Sequence, residues 1–92
     1  MKSAFELAME RLGGNLRDYS EEQKEQLAEV DREYDARIAQ VHMSAKQRLA
    51  MAAADPEKQE EIREGLATEI AGYQQRREAA KEKLRKRFDQ GE

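Results

Sequence analysis

The 92-residue chain has no cysteine, no tryptophan, one proline, one histidine and five glycines, and only 5% of its residues are aromatic. Each shortage excludes something. Without cysteine there is no disulfide framework and no thiolate metal site. So little glycine and proline cannot supply the turns of an all-β sandwich. The lone histidine, His42, has no second imidazole and no Glu-x-x-His arrangement with which to hold a metal. No run approaches the ~18 consecutive apolar residues that would span a membrane. The first apolar stretch is interrupted by Glu6 and is too short for a signal-peptide core, so a cytoplasmic location is the expectation. A chain of this length holds one domain at most.

What is abundant is charge. Charged residues make up 40% of the chain against 38% apolar, with 17 Lys and Arg facing 20 Asp and Glu, a net charge of -3. Such a composition suits a disordered chain, which cannot bury enough apolar surface to offset its conformational entropy. It equally suits long helices with a solvated face, since Ala, Glu, Lys, Leu, Arg and Gln are strong helix formers. Periodicity decides between the two.

Ser3 and Glu6 have capping-box spacing, and Phe5, Met9 and Leu12 follow at helical intervals until Gly13-Gly14-Asn15. This predicts a short helix over about 3–12. Ser20 and Gln23 repeat the capping-box pattern, with Glu21, Glu22 and Glu25 suited to the positive end of a helix dipole. A long helix is expected over about 20–53. Asp55-Pro56-Glu57 then places an N-cap, a first-position proline and a first-turn acid in succession. A sharp turn at 54–56 and a second long helix over about 56–89 follow.

The apolar stripe of the first long helix is Leu27, Val30, Tyr34, Ile38, Val41, Ala45, Leu49 and Ala52. Leu27, Ile38 and Leu49 recur at eleven residues, as do Ile62, Tyr73 and Leu84 in the second. An eleven-residue period is ~3.67 residues per turn, which favours nearly straight or slightly right-handed packing. Facing positions of an antiparallel hairpin have a constant index total. Leu27 with Leu84, Ile38 with Tyr73, and Leu49 with Ile62 all total 111, centring the turn between Asp55 and Pro56. Tyr34 then faces Arg77 and is expected to cover its stem. Charge supports the same register. Segment 20–35 holds seven acids and two bases, and segment 76–88 holds seven bases and two acids. The fold class is all-α: a short N-terminal helix followed by a long antiparallel two-helix hairpin, coiled-coil-like, dimerising into a four-helix bundle. The reason for the dimer is that one hairpin buries a single narrow stripe per helix and has no disulfide or metal to reinforce it.

Nothing in the chain reads as a catalytic, cofactor-binding or metal-binding set, and a two-helix rod offers no enclosed pocket to perturb a pKa. The expectation is a non-enzymatic hairpin that acts through helix–helix contacts, with itself or with a partner protein helix, and takes no small-molecule substrate. Phe5, Met9 and Leu12 are candidate contacts because they form an apolar helix face whose polar side mixes Glu6, Glu10 and Arg11, without the basic bias of a membrane binder. Gly65 and Gly72 are candidates because each costs a helix interior ~1 kcal/mol relative to Ala, a cost that close helix packing would explain. Ala36, Ala39, Met43, Ala50 and Ala54 gather opposite the core stripe. The alternative is a small RNA- or DNA-binding helical bundle, with Arg76, Lys83, Arg85, Lys86 and Arg87 on phosphates.

Overall fold

The computed structural model describes residues 19–91 and the isolated position 4. The short helix expected over 3–12, with Phe5, Met9 and Leu12, lies outside the described residues. Within them the chain forms two helices, α1 over Glu21–Met51 and α2 over Pro56–Asp89, packed side by side. No helix among the described residues is long and apolar enough to cross a membrane.

Both helix starts are built by local hydrogen bonds. The Gln23 N–H donates to Ser20 Oγ at 3.0 Å, and the Ser20 N–H donates to Gln23 Oε1 at 3.0 Å. Together they satisfy two amides that the first turn leaves unpaired. At α2 the Lys58 N–H donates to Asp55 Oδ1 at 3.1 Å, with Pro56 in the position where a missing N–H costs nothing. The first helix stops earlier than the sequence predicts. Helix α1 ends at Met51 rather than near 53, and residues 52–55 make the turn. Asp55 is extended, at φ -129° and ψ 93°, as both its capping role and the following proline require. Its N–H donates back to the Ala52 carbonyl at 2.9 Å, one residue short of the helical partner, while the Ala52 N–H keeps its helical bond to the Arg48 carbonyl at 3.0 Å. Helix α2 runs to Asp89 and closes with Gly91 at φ 86°, a left-handed conformation suited to glycine.

The packing is antiparallel, and its cross-helix pairs lie within a few residues of the expected register. Arg77 Nη1 donates to Asp35 Oδ1 at 2.7 Å and Lys81 Nζ to Asp31 Oδ2 at 3.1 Å, pairs whose indices total 112. The rings of Tyr19 and Phe88 meet at 5.4 Å and those of Tyr34 and Tyr73 at 6.3 Å, pairs that total 107. The four pairs bracket the expected 111. One detail differs. Arg77 donates its hydrogen bond to Asp35 and comes within 3.9 Å of Asp31, while the Tyr34 ring meets Tyr73 and carries the Arg37 guanidinium at 5.0 Å.

The seven stripe residues of α1 and Ala52 just past its end are at least partly shielded, as are Ile62, Leu66, Ile70, Tyr73, Ala80, Leu84 and Phe88 of α2. Yet among the described residues only Ala45, 1% exposed, and Ile62, 7% exposed, are buried hydrophobics. Two parallel cylinders touch along a line, and every other stripe side chain keeps one flank open. Packing is therefore narrow, and the caps carry a larger share of stability than in a globular domain. Replacing Asp55 with Ala is expected to lower unfolding stability by ~1 kcal/mol. Ser20→Ala should cost less, because the open end of the hairpin can fray by one turn. Urea unfolding followed by circular dichroism measures both.

Candidate interaction surface

A hairpin has two broad faces, one on each side of the interhelix seam, and here they differ. The first carries the ion pairs that cross between helices. Arg77 and Lys81 lie low in the groove, with side chains 21% and 18% exposed, and converge on Asp31 and Asp35. Arg85 continues this row one turn on but finds Leu27 and Ala28 across the seam instead of an acid. It turns to Glu82 of its own helix at 3.2 Å, and its Nε is left without a hydrogen bond. Opposite charges thus bridge the seam at mid-hairpin, and a smaller hollow lined by Tyr19, Leu27, Ala28, Lys81 and Arg85 lies toward the open end of this face.

The second face is open. A groove runs along it from mid-hairpin to the reversal. Its inner part is lined by Arg37, Val41, Ser44, Glu69 and Tyr73, and its outer part by Met51, Ala52, Ile62 and Gly65. Arg48 lines both parts and stands where they adjoin. Met51, 88% exposed, stands at the outer end. At the inner end two arginines stack on two tyrosines: Arg37 over Tyr34, and Arg76 over Tyr73 at 5.3 Å. Each arginine follows its tyrosine by three residues, a spacing that places them on one helix face. That spacing was available in the sequence. What the sequence could not show is that the two tyrosines meet.

The candidate residues fall as follows. Gly65 lies on the open groove and Gly72 is half-buried further along α2, and a Cβ built on either meets nothing within 4 Å. Neither glycine is required by packing inside the hairpin. Arg76 is engaged with a ring and Arg85 with an acid, while Lys83 and Lys86 are exposed beside Ala79 and Ala80 in a shallow hollow, and Arg87 is exposed. The acids that were to face this basic run are mostly used elsewhere. Arg32 holds Glu25 and Glu29, and Arg37 holds Glu33, all along α1. Hydrogen bonding to Glu29 and then Glu25 raises the Arg32 pKa above its ordinary value, so its charge is invariant. Among the described residues only Asp31 and Asp35 reach across. His42 is exposed, as are Ala36, Ala39, Ala50, Ala54 and the large side chain of Met43. Among the described residues no group of His, Asp or Glu side chains is placed to hold a metal ion.

No family model, curated protein or solved structure matches this chain.

The arrangement is therefore read from its own chemistry. The groove is open along its length, with an apolar floor and charged rims, which suits a helix lying across it better than a small molecule enclosed within it. Since nothing inside the hairpin occupies the glycine positions, Gly65→Ala and Gly72→Ala should each raise the stability of the isolated hairpin by up to ~1 kcal/mol through helix propensity. Thermal unfolding at low protein concentration checks this. A loss of stability that grows with protein concentration would mean that a second chain approaches those positions.

Proposed function

We propose that this protein is a non-enzymatic interaction module, acting in the cytoplasm, whose helical hairpin associates with a second copy of itself or with a helix of a partner protein. The observation that carries the reading is the half-shielded core. Fifteen stripe positions line the seam, and only Ala45 and Ile62 are buried. Burying apolar surface stabilises by ~25 cal/mol per Å². Surface left wet along helices of 31 and 34 residues is thus a reserve that only another chain or segment can draw on. A four-helix bundle made from two hairpins covers such flanks with the side-chain interdigitation known for this architecture. The eleven-residue apolar period favours nearly straight helices in that bundle. Phe5, Met9 and Leu12 would add to the contact.

Sedimentation velocity over a concentration series tests the reading. A mass that rises to twice that of the 10.6 kDa chain, or to that of a stable hetero-complex, supports it. A folded chain that stays monomeric at the highest concentrations and captures no partner helix overturns it.

The nucleic-acid reading has one observation in its favour. Lys83 and Lys86 are exposed on α2 with no ion pair among the described residues. Two such lysines supply little of the phosphate neutralisation on which nucleic-acid affinity depends. Binding to single- or double-stranded RNA or DNA is expected to be weak at low salt and to vanish at physiological salt. Changing Lys83, Arg85, Lys86 and Arg87 together to Ala should abolish whatever shift remains in a gel assay.

A further inference from the structure

The α2 side of the open groove has a property that the ion-paired face lacks: its charges complement those of the same surface turned end over end. Toward the reversal this rim carries Glu61 and Glu69, with Lys58 beside Glu61, and all three line the groove. Toward the open end it is basic, at Arg76 and Lys83. Between them run Gly65, Gly72 and Ala79, seven residues apart. At about 100° per residue all these positions fall within roughly 80° of arc on α2. Glu69 and Lys83 have no ion pair among the described residues, Arg76 stacks on Tyr73, and Glu61 has only an exposed contact with Lys58 at 3.8 Å. On the opposite face Arg77 and Lys81 are already neutralised by Asp31 and Asp35.

We infer that the groove face is the surface on which a second copy of this chain docks, α2 against α2, about a twofold axis that crosses the helix at Gly72. The inference rests on the self-association reading above and specifies where it happens. In such a pair the two α2 helices run antiparallel, and residues that come level have indices totalling about 144. Glu61 then meets Lys83 of the second copy, and Gly65 meets Ala79, both at a total of 144. Glu69 meets Arg76 at 145, and Gly72 meets itself. The Gly72 contact lies on the axis and occurs once, and every other contact occurs twice. Lys58 comes level with Lys86, a like-charge meeting that the neighbouring Glu61 offsets. Acid thus meets base beside and at both ends of a line of small residues, where the lack of side chains lets the backbones approach. The same stacking lays α1 over α1 and covers the groove floor of Val41, Tyr73 and Ile62. Turning one copy round sets Glu61 and Glu69 each against its own counterpart. Sliding by seven residues sets Glu61 on Arg76 but brings Glu69 level with Thr68, so the register at 144 makes more acid–base contacts than either.

Dimer dissociation constants of variants of the full chain, measured by sedimentation equilibrium with circular dichroism as a check of helix content, test the inference. Gly65→Trp places a large side chain where it meets nothing inside the hairpin, and Glu69→Arg sets two arginines against each other without touching the groove floor. Each should weaken dimerisation about tenfold or more while leaving helix content intact. Adding Arg76→Glu to Glu69→Arg reverses both charges and should restore most of the loss. His42→Trp and Glu78→Lys, which lie away from the groove, should leave dimerisation unchanged. If the wild-type chain dimerises but the control variants disrupt it and the groove variants do not, the groove assignment falls and self-association stands. If the wild-type chain never dimerises, both fall. Should Gly65→Trp lose helix content, the Glu69→Arg variant and its charge-reversed rescue decide.

Discussion

The reversal between Met51 and Pro56 sets the register of both helices. Side chains across an antiparallel pair face each other only where their indices share one total, and the turn determines that total. Here it is held by three local bonds: the Lys58 amide on the Asp55 carboxylate, the Asp55 amide on the Ala52 carbonyl, and the Ala52 amide on the Arg48 carbonyl. Moving the reversal by one residue would rotate one stripe by about 100° against the other. It would also separate Asp31 and Asp35 from Arg77 and Lys81. Local turn chemistry thus governs contacts that lie roughly 30 Å away along the helices at ~1.5 Å per residue.

The cross-helix ion pairs act on the same choice in a different way. Exposed pairs contribute little stability one at a time. Arg77 and Lys81, however, are largely covered and share the two aspartates, so the wrong register would leave shielded cations without acids. Their value is discrimination between registers more than strength. The exposed pairs along α1, such as Arg37 with Glu33, belong to the ordinary support of a long solvated helix and carry no such information.

Most of the helical architecture was legible in the sequence. The capping box at Ser20, the Asp55-Pro56 start, and the eleven-residue recurrence of Leu27, Ile38 and Leu49 each point to one answer, and they agree with each other. The end of α1 at Met51 has a local cause, since alanines 52–54 have high helix propensity and nothing in their identity announces the tighter bond from Asp55 to the Ala52 carbonyl. The expectation that segments 20–35 and 76–88 neutralise each other as blocks was too coarse. Glu25, Glu29 and Glu33 are held by arginines of their own helix, and only Asp31 and Asp35 sit on the flank that reaches α2. The candidate surface was less legible still. Gly65 could be singled out because propensity disfavours it, but Arg48, Glu69 and Met51 look like ordinary surface residues until the groove joins them.

The sequence alone determined where the helices start, which stripe each buries and that the pair runs antiparallel, because capping, periodicity and turn chemistry act over a few residues. Only the tertiary structure decided which side of the seam is bridged by charge and which is open. That difference arises when side chains from two helices compete for the same partners. Arg77 and Lys81 take the aspartates on one side. On the other, two tyrosines meet under two arginines, and Arg48 and Glu69 line the rims of an open groove with no ion pair among the described residues.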